Sequence, residues 1–388
     1  MALLSDRGTG TSHLLHMPAH IYLRVGRYHD AITSSVKAIK ADNMYTEKCL
    51  VPYVPLHNVA MLVAASLLSG SFVGALEYSP FTTTSIPDMA AVHLPALFPT
   101  PKDIILARMG KWQEIIGLFD KTSTAPSADE EQYDKSELLR VRRSKHDRST
   151  SKSSDSPGRH LVENPSPAAA RPPYIQAMHA YSKTLAHIGL NDLRSAEESL
   201  NLLSVSVDNI PYDALPVDHP FYPNHHEIGE TFLAIGMAAY LMKKGGATTE
   251  ENEAALDGAI ASMVSAVRIQ SSFSYMEPEH FYFPTRQCLG ALLVRKLSLS
   301  DKNGGGDKAL RESLIHEAIN VYVVDLRDHP NNIWSLRGLQ NAYALAEDSG
   351  IAIVDKFLTL QASINTAMHY ASEEFKVIGG SCCELSLC

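Results

Sequence analysis

The sequence is poor in the features on which most catalytic and trafficking assignments rest. Its 388 residues hold five cysteines (Cys49, Cys288, Cys382, Cys383 and Cys388). That odd, sparse set lacks metal-ligand spacing and points to a reducing compartment, hence a cytoplasmic protein. Basic residues are outnumbered, with 34 Lys and Arg against 43 Asp and Glu and a formal net charge of −9. Phosphate neutralisation needs a clustered basic face, so a nucleic-acid partner is disfavoured. No apolar run is long enough to cross a bilayer. The longest, Val59 to Leu68, reads as a core helix, and no membrane partner is expected. Met1 to Arg7 has no basic start followed by an apolar core, so no secretory signal is visible. There is no GxGxxG, no GxxxxGK[ST], no GxSxG and no CxxC. Two-residue alternation of apolar and polar positions is almost absent, which excludes a large sheet and leaves an all-α chain.

What is present is a repeat. In His16 to Ala38, HMPAHIYLRVGRYHDAITSSVKA, two short amphipathic helices are broken at Gly26. Glycine takes a left-handed turn residue without steric cost. Small Ala19, Ala31 and Ala38 let one helix approach the other closely. Gly26, Tyr28 and Ala31 recur as Gly70, Phe72 and Ala75, then as Gly110, Trp112 and Ile115. Towards the other end, Leu289-Gly290-Ala291, then Ala318, Tyr322 and Pro330, then Trp334 and Gly338 keep the same offsets. These are the small, aromatic and glycine positions of a tetratricopeptide (TPR) repeat. They predict an α-solenoid of TPR-like helix pairs, a right-handed superhelix whose units cover one another's apolar faces.

Beyond the generic repeat, HLLHMPAHIYLRVGRYHDAI, His57-Asn58, the segment from Met276-Glu277-Pro278 through Phe283-Pro284-Thr285-Arg286-Gln287-Cys288-Leu289-Gly290, and His329-Pro330-Asn331-Asn332 through Trp334 resemble a family of TPR-containing proteins common in bacteria. The resemblance covers most of the chain outside about residues 120–172, and Cys382-Cys383 also fits it. It implies a helical-repeat fold and carries no assigned activity. Family members usually have further helices before the HMPxH segment, so the first repeat is expected to lack its leading cap, through truncation or because a partner covers it.

The chain then divides into TPR-like pairs over 1–121, a Ser/Pro/charge-rich insertion over 122–173, further pairs over 174–378 and a Cys-containing tail over 379–388. The insertion cannot bury enough to offset its chain entropy and is expected to be disordered. Its basic cluster Arg140, Arg142, Arg143, Lys145 and Arg148 is read as a solvated linker. The expected helices include 57–68, a stretch over 85–97, 282–294 and a last one over 351–376.

The candidate site residues lie on the first helix of each pair, which lines the concave surface in TPR-like superhelices. Counting ten back from Gly26 gives His16, and ten back from Gly189 gives His179. His20 shares a face with His16 at i and i+4. His57, Arg286 and Gln287 extend this polar track, with Glu277 and Glu279 at its far side. The leading expectation is a scaffold that takes a protein or peptide in this groove, through histidines that are partly accessible and titrate near the ordinary value of about 6.5. No cofactor and no catalytic residue are called for. The competing expectation is a metal-binding protein or metal-dependent enzyme using His16, His20 and His57, since histidines at i and i+4 share metals in HExxH helices. HMPAH lacks that motif's glutamate, and Pro18 loosens its helix. Trp112 and Trp334 are expected in the repeat core.

Overall fold

A computed structural model describes residues 12–48, 55–78, 102–121, 173–212, 224–302, 308–351, 357–378 and 382. Of the insertion expected over 122–173, Pro173 instead opens a helix, and residues 122–172, the stretch 85–97 and the remainder of the tail lie outside the described residues. Within them every regular element is helical. The helices are α1 (Ser12–Arg24), α2 (Tyr28–Glu47), α3 (Pro55–Ser69), α4 (Phe72–Tyr78), α5 (Lys102–Arg108), α6 (Trp112–Lys121), α7 (Pro173–Gly189), α8 (Leu193–Asp208), α9 (His225–Lys244), α10 (Thr249–Ser272), α11 (Arg286–Lys302), α12 (Lys308–Asp328), α13 (Ile333–Asp348), α14 (Phe357–Tyr370) and α15 (Glu373–Ile378). Successive helices pack in pairs, and each pair packs on the next.

The pairing follows the sequence signals closely. Gly26, Gly70 and Gly110 carry positive φ of 70°, 68° and 67° at the turns inside the first three pairs. In the α7–α8 turn the left-handed residue is Asn191 (φ 64°), and Gly189 is the last residue of α7. Gly189 is needed for another reason: a Cβ there would lie 2.3 Å from Trp112 Nε1. Ala19, Ala31, Ala38 and Ala75 are fully buried at the helix contacts, as are Ala177, Ala196, Ala238 and Ala318 in later pairs. Tyr322 fills the space left by Gly290 and Gly338, where an added Cβ would clash with its ring. Trp334 is fully buried, whereas Trp112 is half-buried.

Two boundaries move. Residues 282–285 are not helical, and α11 opens only at Arg286. Pro284 restrains the residue before it to extended backbone, and Gln270 at the end of α10 accepts from the Thr285 amide at 2.8 Å and donates to the Phe283 carbonyl at 3.1 Å. The final helix is split at Ala371-Ser372, where Ser372 N–H donates to the Gly70 carbonyl at 3.0 Å.

That last contact belongs to a larger feature: the two ends of the array meet. α3 packs on α13. The Trp334 indole donates to the Leu67 carbonyl at 2.8 Å, and its ring stands edge-on to Phe375 with centroids 4.7 Å apart. A Cβ on Gly26 would lie 2.0 Å from the Pro330 carbonyl oxygen, so the first turn sits directly on the α12–α13 turn. Terminal repeats need a cover for their outer faces, and here the last helices contribute to covering the first pairs. Cys382, placed by the sequence in a Cys-containing tail, is fully buried and disulfide-bonded to Cys288 at the start of α11. Their Cα atoms, 5.1 Å apart, suit such a bond.

A long connection also packs on several of the earlier helices. The α10–α11 loop, residues 273–285, reaches α5, α7 and α9. Phe281 packs on Phe232 of α9 at 5.1 Å, the Tyr282 hydroxyl points at Met178 Sδ of α7, and Phe283 lies under the Arg108 guanidinium of α5 at 4.7 Å. Arg108, itself buried, also stacks on Trp334 at 3.8 Å.

Candidate metal centre

Three of the six candidate residues come together. His16 and His20 stand one turn apart on α1, which runs through Pro18 without interruption. His57 lies in the first turn of α3, which packs on α1. A buried polar tie sets the register of these helices. Asn58 on α3 donates to Asp42 of α2 at 2.6 Å, and Ser12, the first residue of α1, bonds the same carboxylate. Burial raises the Asp42 pKa, and those two hydrogen bonds oppose the rise. His57 and His16 are each attached to a helix end held by this carboxylate.

The His16 and His20 Nε2 atoms are 2.8 Å apart, and His57 Nε2 is 3.3 Å from His20 Nε2. One ligand atom from each of the three rings lies within 4.8 Å of the others, the one such grouping of His, Cys, Asp and Glu among the described residues. His16 is 1% exposed, while His20 and His57 are half-buried. Burial, and then the repulsion of the neighbouring imidazoles, lowers the His16 pKa to about 2 and the His57 pKa to about 4. Both rings are therefore neutral at ordinary pH, which is the form that ligates a metal. This departs from the accessible, ordinary titration expected of them.

His20 is oriented from far along the chain. Its Nδ1 donates to Glu277 Oε2 at 2.7 Å, across 257 positions. With Nδ1 turned to Glu277, the Nε2 of His20 faces the other two rings. Tyr275 donates a short hydrogen bond to the other Glu277 oxygen, and Arg24 Nε lies 3.7 Å from it while its guanidinium stacks on Tyr275 at 5.0 Å. Burial alone would raise the Glu277 pKa, but the bonds from His20 and Tyr275 and the nearby cations lower it instead. Glu277 therefore stays ionised. The peptide bond Glu277–Pro278 is cis.

These residues fit a transition metal. A tetrahedral ion with nitrogen at roughly 2.0–2.1 Å places its ligand atoms about 3.3 Å apart, within the range spanned by the three rings. A carboxylate on the second nitrogen of a ligating histidine is the usual outer-shell arrangement. The buried Nδ1 of His16 finds no hydrogen-bond partner among the described residues, so the polarity of that ring is met chiefly on the cluster side.

The other three candidates lie elsewhere. His179 is buried on α7 and contacts Asp103 of α5 at 3.2 Å, not the groove that was expected. Gln287 is fully buried and accepts from Asn332 at 3.2 Å. Arg286 donates to Ser271 at 2.9 Å on the wall of a cleft of about 270 Å³ that Arg24, Tyr275, Glu279 and His329 also line. No member of the histidine trio lines that cleft. His329 there bridges Asp325 at 3.0 Å and Glu279 at 2.7 Å. His13, Arg24 and Tyr275 were not singled out from the sequence. His13 was findable as the next histidine of the α1 stripe, whereas the other two acquire meaning only once the 273–285 loop is folded against α1. The segments that carry the TPR-family resemblance all contribute to this corner of the molecule. No known family model, curated protein or solved structure matches the chain.

Proposed function

We propose that this protein binds a divalent transition metal through His16, His20 and His57, with Glu277 orienting His20. The single observation that carries the proposal is the convergence of three imidazoles from two helices on one point, with two of the rings, His16 and His57, held neutral by burial and by neighbouring imidazoles. An all-imidazole set suits zinc, copper or nickel and not magnesium or calcium. The reading of a peptide-binding groove is less well supported, because Phe281, Tyr282 and Phe283 of the chain itself already pack on α5, α7 and α9 where such a peptide would lie.

The test is elemental analysis and calorimetric titration of the full chain with Zn²⁺, Co²⁺ and Ni²⁺ after chelator treatment. One equivalent should bind, and His16→Ala and His57→Ala should each abolish it while helical circular dichroism is kept. Glu277→Gln should weaken affinity by about 10- to 100-fold, the usual cost of an outer-shell partner. Equal metal uptake by the histidine variants, or none by the parent, would contradict the proposal.

A further inference from the structure

Independently of the metal reading, we infer that the cleft between the α10–α11 loop, the first residue of α11 and the last residues of α1 and α12 is a binding site for a small organic carboxylate with an apolar body, held by Arg286 and Arg24. The cleft, of about 270 Å³, falls just under the usual size of a small-molecule pocket, about 300–1,000 Å³. One small molecule suits it, and a folded partner does not. Its wall combines the two guanidinium groups with Phe273, Met276 and Pro284. Such sites join apolar surface to a few polar anchors in this way.

Arg286 is the anchor. It is half-buried, and no carboxylate pairs with it among the described residues. Its Nη2 donates to the Ser271 hydroxyl at 2.9 Å, and that hydroxyl donates its own proton to the Val267 carbonyl at 2.6 Å. Ser271 is thus fixed as an acceptor and orients the guanidinium. A partly enclosed cation gains more from a counter-ion than an exposed one does, and the remaining N–H groups of Arg286 offer the planar fork that matches a carboxylate. Arg24 stacks on Tyr275 at 5.0 Å and donates no side-chain hydrogen bond among the described residues. Its nearest carboxylate, Glu277, lies 3.7 Å from Nε and already accepts from His20 and Tyr275. Two acids share the wall. Glu279 is matched by His329 at 2.7 Å, and Asp328 is exposed, where water screens it.

The test is calorimetric titration of the full chain, after chelator treatment, with benzoate, benzamide and inorganic phosphate. Removing metal prevents a carboxylate from ligating an ion at the histidines. Benzoate should bind once per chain. Benzamide, which keeps the ring and loses the charge, should bind about tenfold more weakly or worse, the worth of a charge-assisted hydrogen bond. Phosphate should also bind more weakly than benzoate, because it has no body to cover Phe273 and Met276. Arg286→Gln should lower benzoate affinity by about tenfold or more, and Arg286→Lys should keep only part of it, since an ammonium lacks the fork. If Arg286→Gln loses helical circular dichroism, Arg24→Gln carries the same test with the same expected loss. His16→Ala should bind benzoate as the parent does, so failure of the metal site and failure of the cleft are read separately. No benzoate binding by the parent, equal binding of benzamide or phosphate, or affinity unchanged in the folded arginine variants would overturn the inference.

Discussion

At the scale of the residue, the molecule distinguishes two kinds of histidine by environment. His16 and His57 are held neutral by burial and, after that, by neighbouring imidazoles. His329 is also largely enclosed, which by itself would lower its pKa, but the attraction and hydrogen bonds of Asp325 and Glu279 together overcome that and raise it well above the ordinary range. A histidine that holds its proton more tightly when folded stabilises the fold at pH below its unfolded value of about 6.5, and this contribution is lost as pH rises through the raised folded value. Thermal midpoints measured at pH 6, 7, 8 and 9 in low salt should therefore fall on the alkaline side, and His329→Gln should flatten that decline. A slope unchanged by the substitution would show that the proton on His329 is not linked to folding. Of the histidine cluster, the i and i+4 spacing of His16 and His20 was legible in the sequence, and His57 was named beside them. Glu277 was placed only vaguely. Nothing local tells that a glutamate 257 positions away meets His20, since that contact depends on how the array closes.

At the scale of the element, the repeat is governed by small residues at helix contacts and left-handed turn residues between helices. Ala31 is fully buried against the first pair, in a cluster with Ala19, Leu23, Tyr28 and Met61. Ala31→Leu inserts three carbons into a filled contact and should cost about 1–3 kcal/mol through overpacking, read as a lower thermal midpoint without loss of parent-like helicity. No change would mean that α1 and α2 are less closely packed than described. These elements were readable because glycine, alanine and aromatic positions state their reasons locally. The α10–α11 loop was not. Tyr282 and Phe283 look like the opening of an apolar helix, yet Pro284 and the Gln270 bonds hold them out of it, and their rings meet partners on α5 and α7 that no local pattern reveals.

At the scale of the molecule, an array expected to be open has its ends in contact. Gly26 on Pro330, Trp334 on Leu67 and Ser372 on Gly70 are contacts between segments some 270 to 300 residues apart. The Cys288–Cys382 bond reinforces the closing end, linking residues 94 positions apart. Disulfides persist in oxidising compartments and are rare in the cytosol, so this pairing argues against the reducing compartment that sparse cysteines suggested. Restraining an unfolded loop of that length contributes about 2–5 kcal/mol. Cys288→Ser with Cys382→Ser should lower the denaturation midpoint accordingly, and reductant should do the same to the parent alone. A parent insensitive to reductant would mean that the two thiols are not bonded in solution.

The closure matters because it delivers Glu277 to His20 and so completes the orientation of the histidine cluster. The most direct measurement is a crystal structure of the zinc-loaded protein with anomalous diffraction collected across the zinc edge. The account predicts one peak at bonding distance, roughly 2.0–2.1 Å, from a ring nitrogen each of His16, His20 and His57, with Glu277 still bonded to the far nitrogen of His20. A map with no peak there, and the three rings joined only by hydrogen bonds among themselves, would contradict it.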